Sequence, residues 1–221
     1  MRIRRESETW YRSWTKFALS IATTLLLASQ VNADVTYSNL GPNDDFGGGA
    51  TILIGNFNDT TTNSHYANQF TAQVTGFVST VDVAVSLSDP GLDDSLLISL
   101  WTDSGNLPGA SIWSGTVKPR FVSEVLSVSS NSGTVELIAG QTYWISARAD
   151  DGTGTYLWYG NSQGASGRFT FDGQGGTNWN PPNSFAQQAF RVNVSNVPEP
   201  ASLPLIALAC GAFFRRNRKR R

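Results

Sequence analysis

The stretch that decides the fold is Gly76–Leu87, GFVSTVDVAVSL. Alternate residues of this stretch fall on one face and are all apolar or small: Phe77, Ser79, Val81, Val83, Val85 and Leu87. The other face is mixed, with polar residues such as Asp82 between apolar ones. A period of two is typical of a half-buried β-strand, so we predict a strand over residues 76–87.

The same kind of pattern recurs through residues 34–196. We predict further strands at residues 95–102, 134–138, 141–148, 155–159, 168–171 and 189–194. Residues rich in Gly, Asn, Asp and Pro predict turns at 89–91, 103–106, 107–109, 131–133 and 151–152. Many short strands joined by such turns indicate an all-β domain, an antiparallel β-sandwich or a jelly-roll-like fold.

Residues 1–33 have the three parts of a secretory signal peptide. Residues 1–16 are polar and basic, residues 17–28 (FALSIATTLLLA) are apolar, and Val31 and Ala33 occupy the −3 and −1 positions of a signal peptidase site. We expect a signal helix, cleavage after Ala33 and a mature protein that begins near Asp34. The alternative is an uncleaved N-terminal anchor, although the apolar run is short for a membrane span.

Residues 197–221 combine a proline-rich motif, an apolar segment and a basic tail. The motif consists of Val197, Pro198, Glu199 and Pro200, and residues 201–214 (ASLPLIALACGAFF) follow it. The tail residues that would stop translocation are Arg215, Arg216, Arg218, Lys219, Arg220 and Arg221. A helix over 201–214 would be about 21 Å long, shorter than the roughly 30 Å of hydrocarbon, and would make a poor permanent anchor.

In this order, the motif, apolar helix and arginine-rich tail resemble the PEP-CTERM sorting domain. The resemblance implies recognition by a membrane-embedded exosortase and transient anchoring in the inner membrane. It also implies transfer of the body to the cell envelope, cell surface or extracellular matrix of a Gram-negative bacterium that makes exopolysaccharide. A tail anchor that is never processed is the alternative.

Part of the body also resembles the choice-of-anchor R domain, over about residues 66–194. The resemblance rests on the turn DSGNLPG at 103–109 and the stretch LIAGQTYW at 137–144, which an aromatic-rich hairpin follows. Phe70 and Thr71 are expected near a strand start. The family implies surface anchoring and no known catalytic activity.

Charge excludes some partners. Between residues 34 and 200 there are five cations and fifteen acids, a net charge of −10. Such a body is repelled by phosphate backbones, so nucleic-acid binding is not expected. The single cysteine, Cys210, lies in the apolar segment, which excludes an intramolecular disulfide and a cysteine zinc site.

Few residues point to chemistry. His65 is the only histidine, so a nucleophilic triad would have to use it, and no G-x-S-x-G turn singles out a serine. The acidic pairs at 44–45, 93–94 and 150–151 could ligate calcium or act as the acid and base of a glycosidase. Solvated turn acids are the simpler interpretation, and we expect no catalytic residue and no metal or other cofactor.

The body is rich in aromatic residues. Trp158, Tyr159 and Trp179 lie beside Gly and Asn, where exposed rings would stack on sugars, although aromatics are also ordinary core residues. We therefore expect a non-catalytic surface or matrix protein associated with exopolysaccharide or biofilm. The alternatives are a carbohydrate-binding module and a secreted glycoside hydrolase.

Overall fold

The structure is a computed structural model that describes residues 33–47, 51–56, 63–88, 95–120, 122–129, 135–150, 154–173 and 178–195. All of them belong to one compact unit, Ala33–Asn196. The sorting motif, the apolar segment, the basic tail and the signal peptide up to Asn32 lie outside the described residues. Within the described part of the chain, no helix is long and apolar enough to cross a membrane.

The described residues form thirteen strands and one short 3-10 turn, Pro42–Asp44. The strands are β1 Ala33–Ser38, β2 Ile52–Asn56, β3 Asn63–Thr71, β4 Gly76–Leu87, β5 Leu96–Ser104, β6 Leu107–Val117, β7 Glu124–Ser129, β8 Glu136–Leu137, β9 Thr142–Ala149, β10 Thr155–Trp158, β11 Ser166–Asp172, β12 Asn183–Ala186 and β13 Phe190–Ser195. Neighbouring strands are antiparallel, as in the pairs β1–β13, β3–β9 and β5–β6. The prediction of an all-β, antiparallel fold is confirmed.

The strands form one hydrogen-bonded path in the order β1-β13-β4-β10-β2-β3-β9-β5-β6. Strands β7 and β8 also pair with β4, and β11 joins β3 to β12. Val81 of β4 faces Val192 on one side and Val128 on the other, so β4 is an interior strand. The long apolar alternation of β4 suits that position, because both of its edges are paired and its core face is covered.

One core receives side chains from both ends of the path. Val83 of β4 and Val192 of β13 belong to the same hydrophobic cluster as Ile98 of β5 and Ile145 of β9. Across this core, the rings of Phe70 and Phe190 lie 5.7 Å apart, edge to face. The arrangement is therefore sandwich-like: apolar faces of strands that are distant along the chain pack against each other in one shared core.

The alternation predicted for β4 holds from Val81 to Leu87 and is wrong nearer the start of the strand. The pairing with β13 passes from Thr80 to Val78 and skips Ser79, which is a β-bulge. Val78 consequently joins the core, whereas Phe77 does not. One extra residue reverses the face on which each side chain before it lies.

The hairpin between β5 and β6 also corrects a turn that was predicted from the sequence. Gly105 and Asn106 both have positive φ, 63° and 69°, as the two central residues of a type I′ turn require. The predicted turn at 107–109 is wrong, since β6 begins at Leu107. Phe70 and Thr71 lie at the end of β3, not near its start. Periodicity did not reveal β1, β2, β3, β6, β7 or β12.

Tyr37 links β1 to the core and gives the fold a measurable pH dependence. Its ring stacks on Phe190 at 4.9 Å and its hydroxyl donates a hydrogen bond to Gln187 Oε1 at 2.6 Å. Burial raises the pKa of Tyr37 from 10.0 to about 12. A raised folded-state pKa means that this stability is complete below about pH 10 and is lost as the pH rises toward 12.

We therefore expect the free energy of unfolding to fall by about 1 kcal/mol between about pH 9 and pH 11 because of Tyr37. Tyr37→Phe should remove this part of the decline, since the phenyl ring does not ionise. Urea denaturation of both proteins at the two pH values measures it. Equal declines in the two proteins would contradict the assignment.

Candidate functional site

The only histidine contacts a serine. His65 of β3 and Ser146 of β9 lie on the same side of neighbouring strands, and His65 Nε2 is 2.9 Å from Ser146 Oγ. Asp172 of β11 lies directly opposite His65 in the next strand pair and accepts a hydrogen bond from the Asn178 N–H at 3.3 Å. Three residue types of a nucleophilic triad are therefore neighbours, which sequence reasoning did not find because they come from three separated strands.

Tryptophans enclose this contact. Trp101 Nε1 donates a hydrogen bond to Ser146 Oγ at 2.7 Å, so the serine oxygen has two polar neighbours. The ring of Trp179 lies 4.6 Å from the ring of His65 and meets Trp101 edge to face at 5.8 Å. On the same side, Trp144 Nε1 donates to Asp103 Oδ1 at 2.7 Å.

The enclosure decides what this group can do. Ser146 is 0% exposed and His65 is 2% exposed, so a substrate carbonyl cannot reach the serine oxygen in this conformation. Ser146 also lies within β9, paired to β3 on one side and to β5 on the other. Acyl transfer needs donors aimed at a developing oxyanion beside the nucleophile, which the interior of a sheet does not offer. We interpret the Ser146–His65 contact as structural.

Trp179 covers His65, and its removal should make the imidazole reactive. In Trp179→Ala we expect diethyl pyrocarbonate to modify His65 several-fold faster than in the wild-type protein, because acylation requires access to the ring. The chain has a single histidine, so the absorbance change reports this residue alone. Phe185→Ala is the matched control and should leave the rate unchanged. Equal rates for Trp179→Ala and wild type would show that Trp179 does not shield the ring.

The three aromatic residues proposed to stack on sugars lie in three different environments. Trp158 is 0% exposed and belongs to the main core, where its Nε1 donates to the Ala189 carbonyl at 3.2 Å. It therefore has no exposed ring face. Trp179 packs over His65, as described above. The structure does not place these three rings on one surface.

Tyr159 lines an open pocket of about 250 Å³. Its hydroxyl is 3.0 Å from Ser86 Oγ and accepts a hydrogen bond from Ser123 Oγ at 2.7 Å. The remaining lining residues are Leu87, Ser88, Val122 and Leu157. Because the tyrosine hydroxyl is already engaged by two serines, the pocket offers a ligand little that is unpartnered.

A row of four aromatic rings, two of them exposed and two partly buried, lies elsewhere, on residues that the sequence did not single out. We call Tyr66, Phe169, Phe171 and Phe185 the aromatic row. Phe171 is 39% exposed and Phe185 is 46% exposed, among the most exposed large apolar residues of the described chain. The ring centroids of Phe169 and Tyr66 are 5.6 Å apart and nearly parallel, with an interplanar angle of 23°.

Several of the acidic residues that the structure describes take part in polar contacts. Arg191 forms ion pairs with Asp44 at 2.6 Å and with the buried Asp82 at 2.7 Å. Partial burial lowers the pKa of Arg191, but its hydrogen bonds to these two carboxylates outweigh burial and raise the pKa above its ordinary value. Asp93, Asp94 and Asp151 lie outside the described residues. Among the residues that are described, no three His, Cys, Asp or Glu side chains form a metal-binding group.

Comparison with known proteins adds little. No protein-family model and no curated protein matches the chain. Among solved structures, the chain is similar to one in the complex of the Aeromonas sobria serine protease with the chaperone ORF2, with 12% sequence identity and a TM-score of 0.26. The match covers 67% of this chain and 27% of that one, and at this TM-score it carries no argument about fold or function.

Proposed function

We propose that this chain is an exported surface or matrix protein, sorted by an exosortase, whose β-domain is not catalytic. The observation that carries the proposal is the combination in residues 197–221 of a Pro-Glu-Pro motif, a short apolar segment and a basic tail. Each part has a physical role: the prolines keep the motif extended, the apolar segment enters the bilayer, and the arginines halt translocation.

The borders of the folded domain support this division of the chain. Strand β1 begins at Ala33, which is the predicted −1 residue of the signal peptidase site. Strand β13 ends at Ser195, and the sorting motif begins at Val197. The two predicted processing signals therefore flank the folded domain and overlap its strands only at Ala33.

The proposal also fixes an order of events. Ala33 pairs with Ser195, and Asp34 pairs with Val194, so the predicted cleavage point is part of a strand pair between the two ends of the domain. A peptidase needs that backbone extended and unpaired. Signal peptide removal therefore precedes the pairing of β1 with β13. That pairing also requires the segment just before the sorting motif to have crossed the membrane.

Other features of the domain support a non-catalytic body. The Ser146–His65 contact is enclosed by tryptophans, and the carboxylates of Asp44 and Asp82 are both held by Arg191. An acid and a base of a glycosidase act on substrate in a groove, whereas Asp82 is only 2% exposed. For the finer architecture we propose a β-sandwich with jelly-roll-like connections.

The sorting signal can be tested with two variants that should fail differently. Deletion of residues 215–221 should release protein from the inner membrane into the periplasm, because the stop-transfer charge is gone. Glu199→Ala should leave unprocessed protein in the inner membrane, because the motif is no longer recognised. Cell fractionation and immunoblotting measure both results.

Glu136→Ala is the matched control for the loss of one carboxylate, since Glu136 is an exposed residue of β8. It should sort like the wild-type protein. Unchanged envelope attachment of both sorting variants would overturn the proposal. Mass spectrometry of the wild-type protein should find an N-terminus at Asp34 and a new C-terminus near Pro200.

A further inference from the structure

We propose that the aromatic row is a carbohydrate-binding surface for a neutral polysaccharide. Its biological setting rests on the proposed function, which places the domain at the cell surface, but binding itself depends only on the domain. The row consists of Tyr66 from β3, Phe169 and Phe171 from β11, and Phe185 from β12.

Strand register places these four residues on one face. Phe171 lies opposite Tyr66, and Phe169 lies two residues before Phe171 on the same strand. Phe185 lies opposite Gly167, two residues before Phe169. Successive centroids are 6.0 Å from Phe185 to Phe169, 5.6 Å from Phe169 to Tyr66 and 6.0 Å from Tyr66 to Phe171. The result is a continuous row of rings across three strands.

The outer part of the row is exposed because β11 and β12 extend the sheet beyond the strands that line the core. On this same face, Ile145 of β9 and Leu100 of β5 belong to the core. Phe171 and Phe185, farther along on β11 and β12, remain 39% and 46% exposed. Burying an apolar side chain of this size would stabilise the fold, so two phenylalanines left exposed in one row indicate a contact surface.

The chemistry of the row suits sugar rings. Successive rings are inclined to one another by 23°, 33° and 42°, and Phe171 and Phe185 present apolar ring surface to solvent at the two ends of the row. Pyranose rings present flat C–H faces to such surfaces and direct their hydroxyls to the side. Asn183, exposed and opposite Phe169 on the same face, offers an amide donor and acceptor to those hydroxyls.

A second amide beside the row lacks a protein partner. Asn68 lies opposite Phe169 on β3 and is 0% exposed, and neither its Nδ2 nor its Oδ1 has a hydrogen-bond partner. Leaving a buried polar group without a hydrogen-bond partner destabilises the fold. Because this amide is fully buried, a ligand hydroxyl does not reach it in this conformation, and the proposal rests on the exposed rings and on Asn183.

Charge and size select a neutral polymer over other occupants. The body carries a net charge of −10, so a second copy, a nucleic acid or an acidic polysaccharide is repelled. Arg168, the cation of β11, lies on the opposite face of that strand and brings no positive charge to the row. Two half-exposed rings are also far smaller than the roughly 800 Å² per partner of a stable protein interface.

The test measures binding of the full chain, purified in mild detergent, to insoluble cellulose and chitin and to soluble amylose, with alginate as the acidic polymer. We expect the wild-type protein to bind at least one neutral polymer and to bind alginate more weakly. Phe171→Ala with Phe185→Ala should weaken binding to that polymer about tenfold, because two stacked contacts are lost. Phe171→Tyr should keep most of it.

Val122→Ala with Ile138→Ala is the matched control, since both residues are exposed and apolar but lie outside the row. It should bind like the wild-type protein, and thermal unfolding should show that all variants are folded. The proposal is overturned if the wild-type protein binds none of the neutral polymers, or if the double phenylalanine variant binds like wild type. It is also overturned if that variant abolishes self-association in sedimentation, which would make the row a contact between copies.

Fractionation of the same variants separates this proposal from the sorting proposal. The double phenylalanine variant should still reach the envelope, since it leaves residues 197–221 intact. Loss of polymer binding with normal sorting supports both proposals. Failure of sorting in the wild-type sequence with intact polymer binding would overturn only the proposed function.

Discussion

The rest of the domain depends on the pairing of β4 with strands on both of its edges. Val81 meets Val192 of β13 on one edge and Val128 of β7 on the other, and β10 and β8 extend those edges. Strand β13 is more than a hundred residues away along the chain, so this pairing closes a long loop, whose entropy opposes it until many contacts form together. Cooperative folding of β1, β4 and β13 follows from that constraint.

A polar network on the outer side of β4 fixes this pairing in one register. The carboxylate of Asp82 accepts hydrogen bonds from Arg191 at 2.7 Å, from Asn193 at 2.8 Å and from Ser127 at 2.5 Å, and these three residues come from β13 and β7. A slip of one residue would turn Asp82 into the apolar core. Since a buried carboxylate is stable only with its full set of partners, the network contributes more to the choice of register than to net stability.

The two faces of the same sheet differ in whether their side chains are accessible to a ligand. On one face, His65 and Ser146 are covered by Trp101 and Trp179, and their contact is structural. On the other face, phenylalanines that elsewhere would fill a core lie exposed on β11 and β12. What a side chain can do here is set by what covers it. Judged by residue type alone, the histidine would be a stronger candidate for a functional residue than the phenylalanines.

The sequence by itself determined the all-β class, most strands with strong alternation and the acidic character of the body. β4 was predicted to its end residues, and β9 and β10 within one residue, because alternation and turn residues are local properties. Only the tertiary structure decided the bulge at Ser79, the burial of Trp158 and the exposure of Phe185. Each of these depends on which distant strand lies alongside. An alternating sequence pattern is the same whether a face of the strand is covered by another sheet or exposed to solvent.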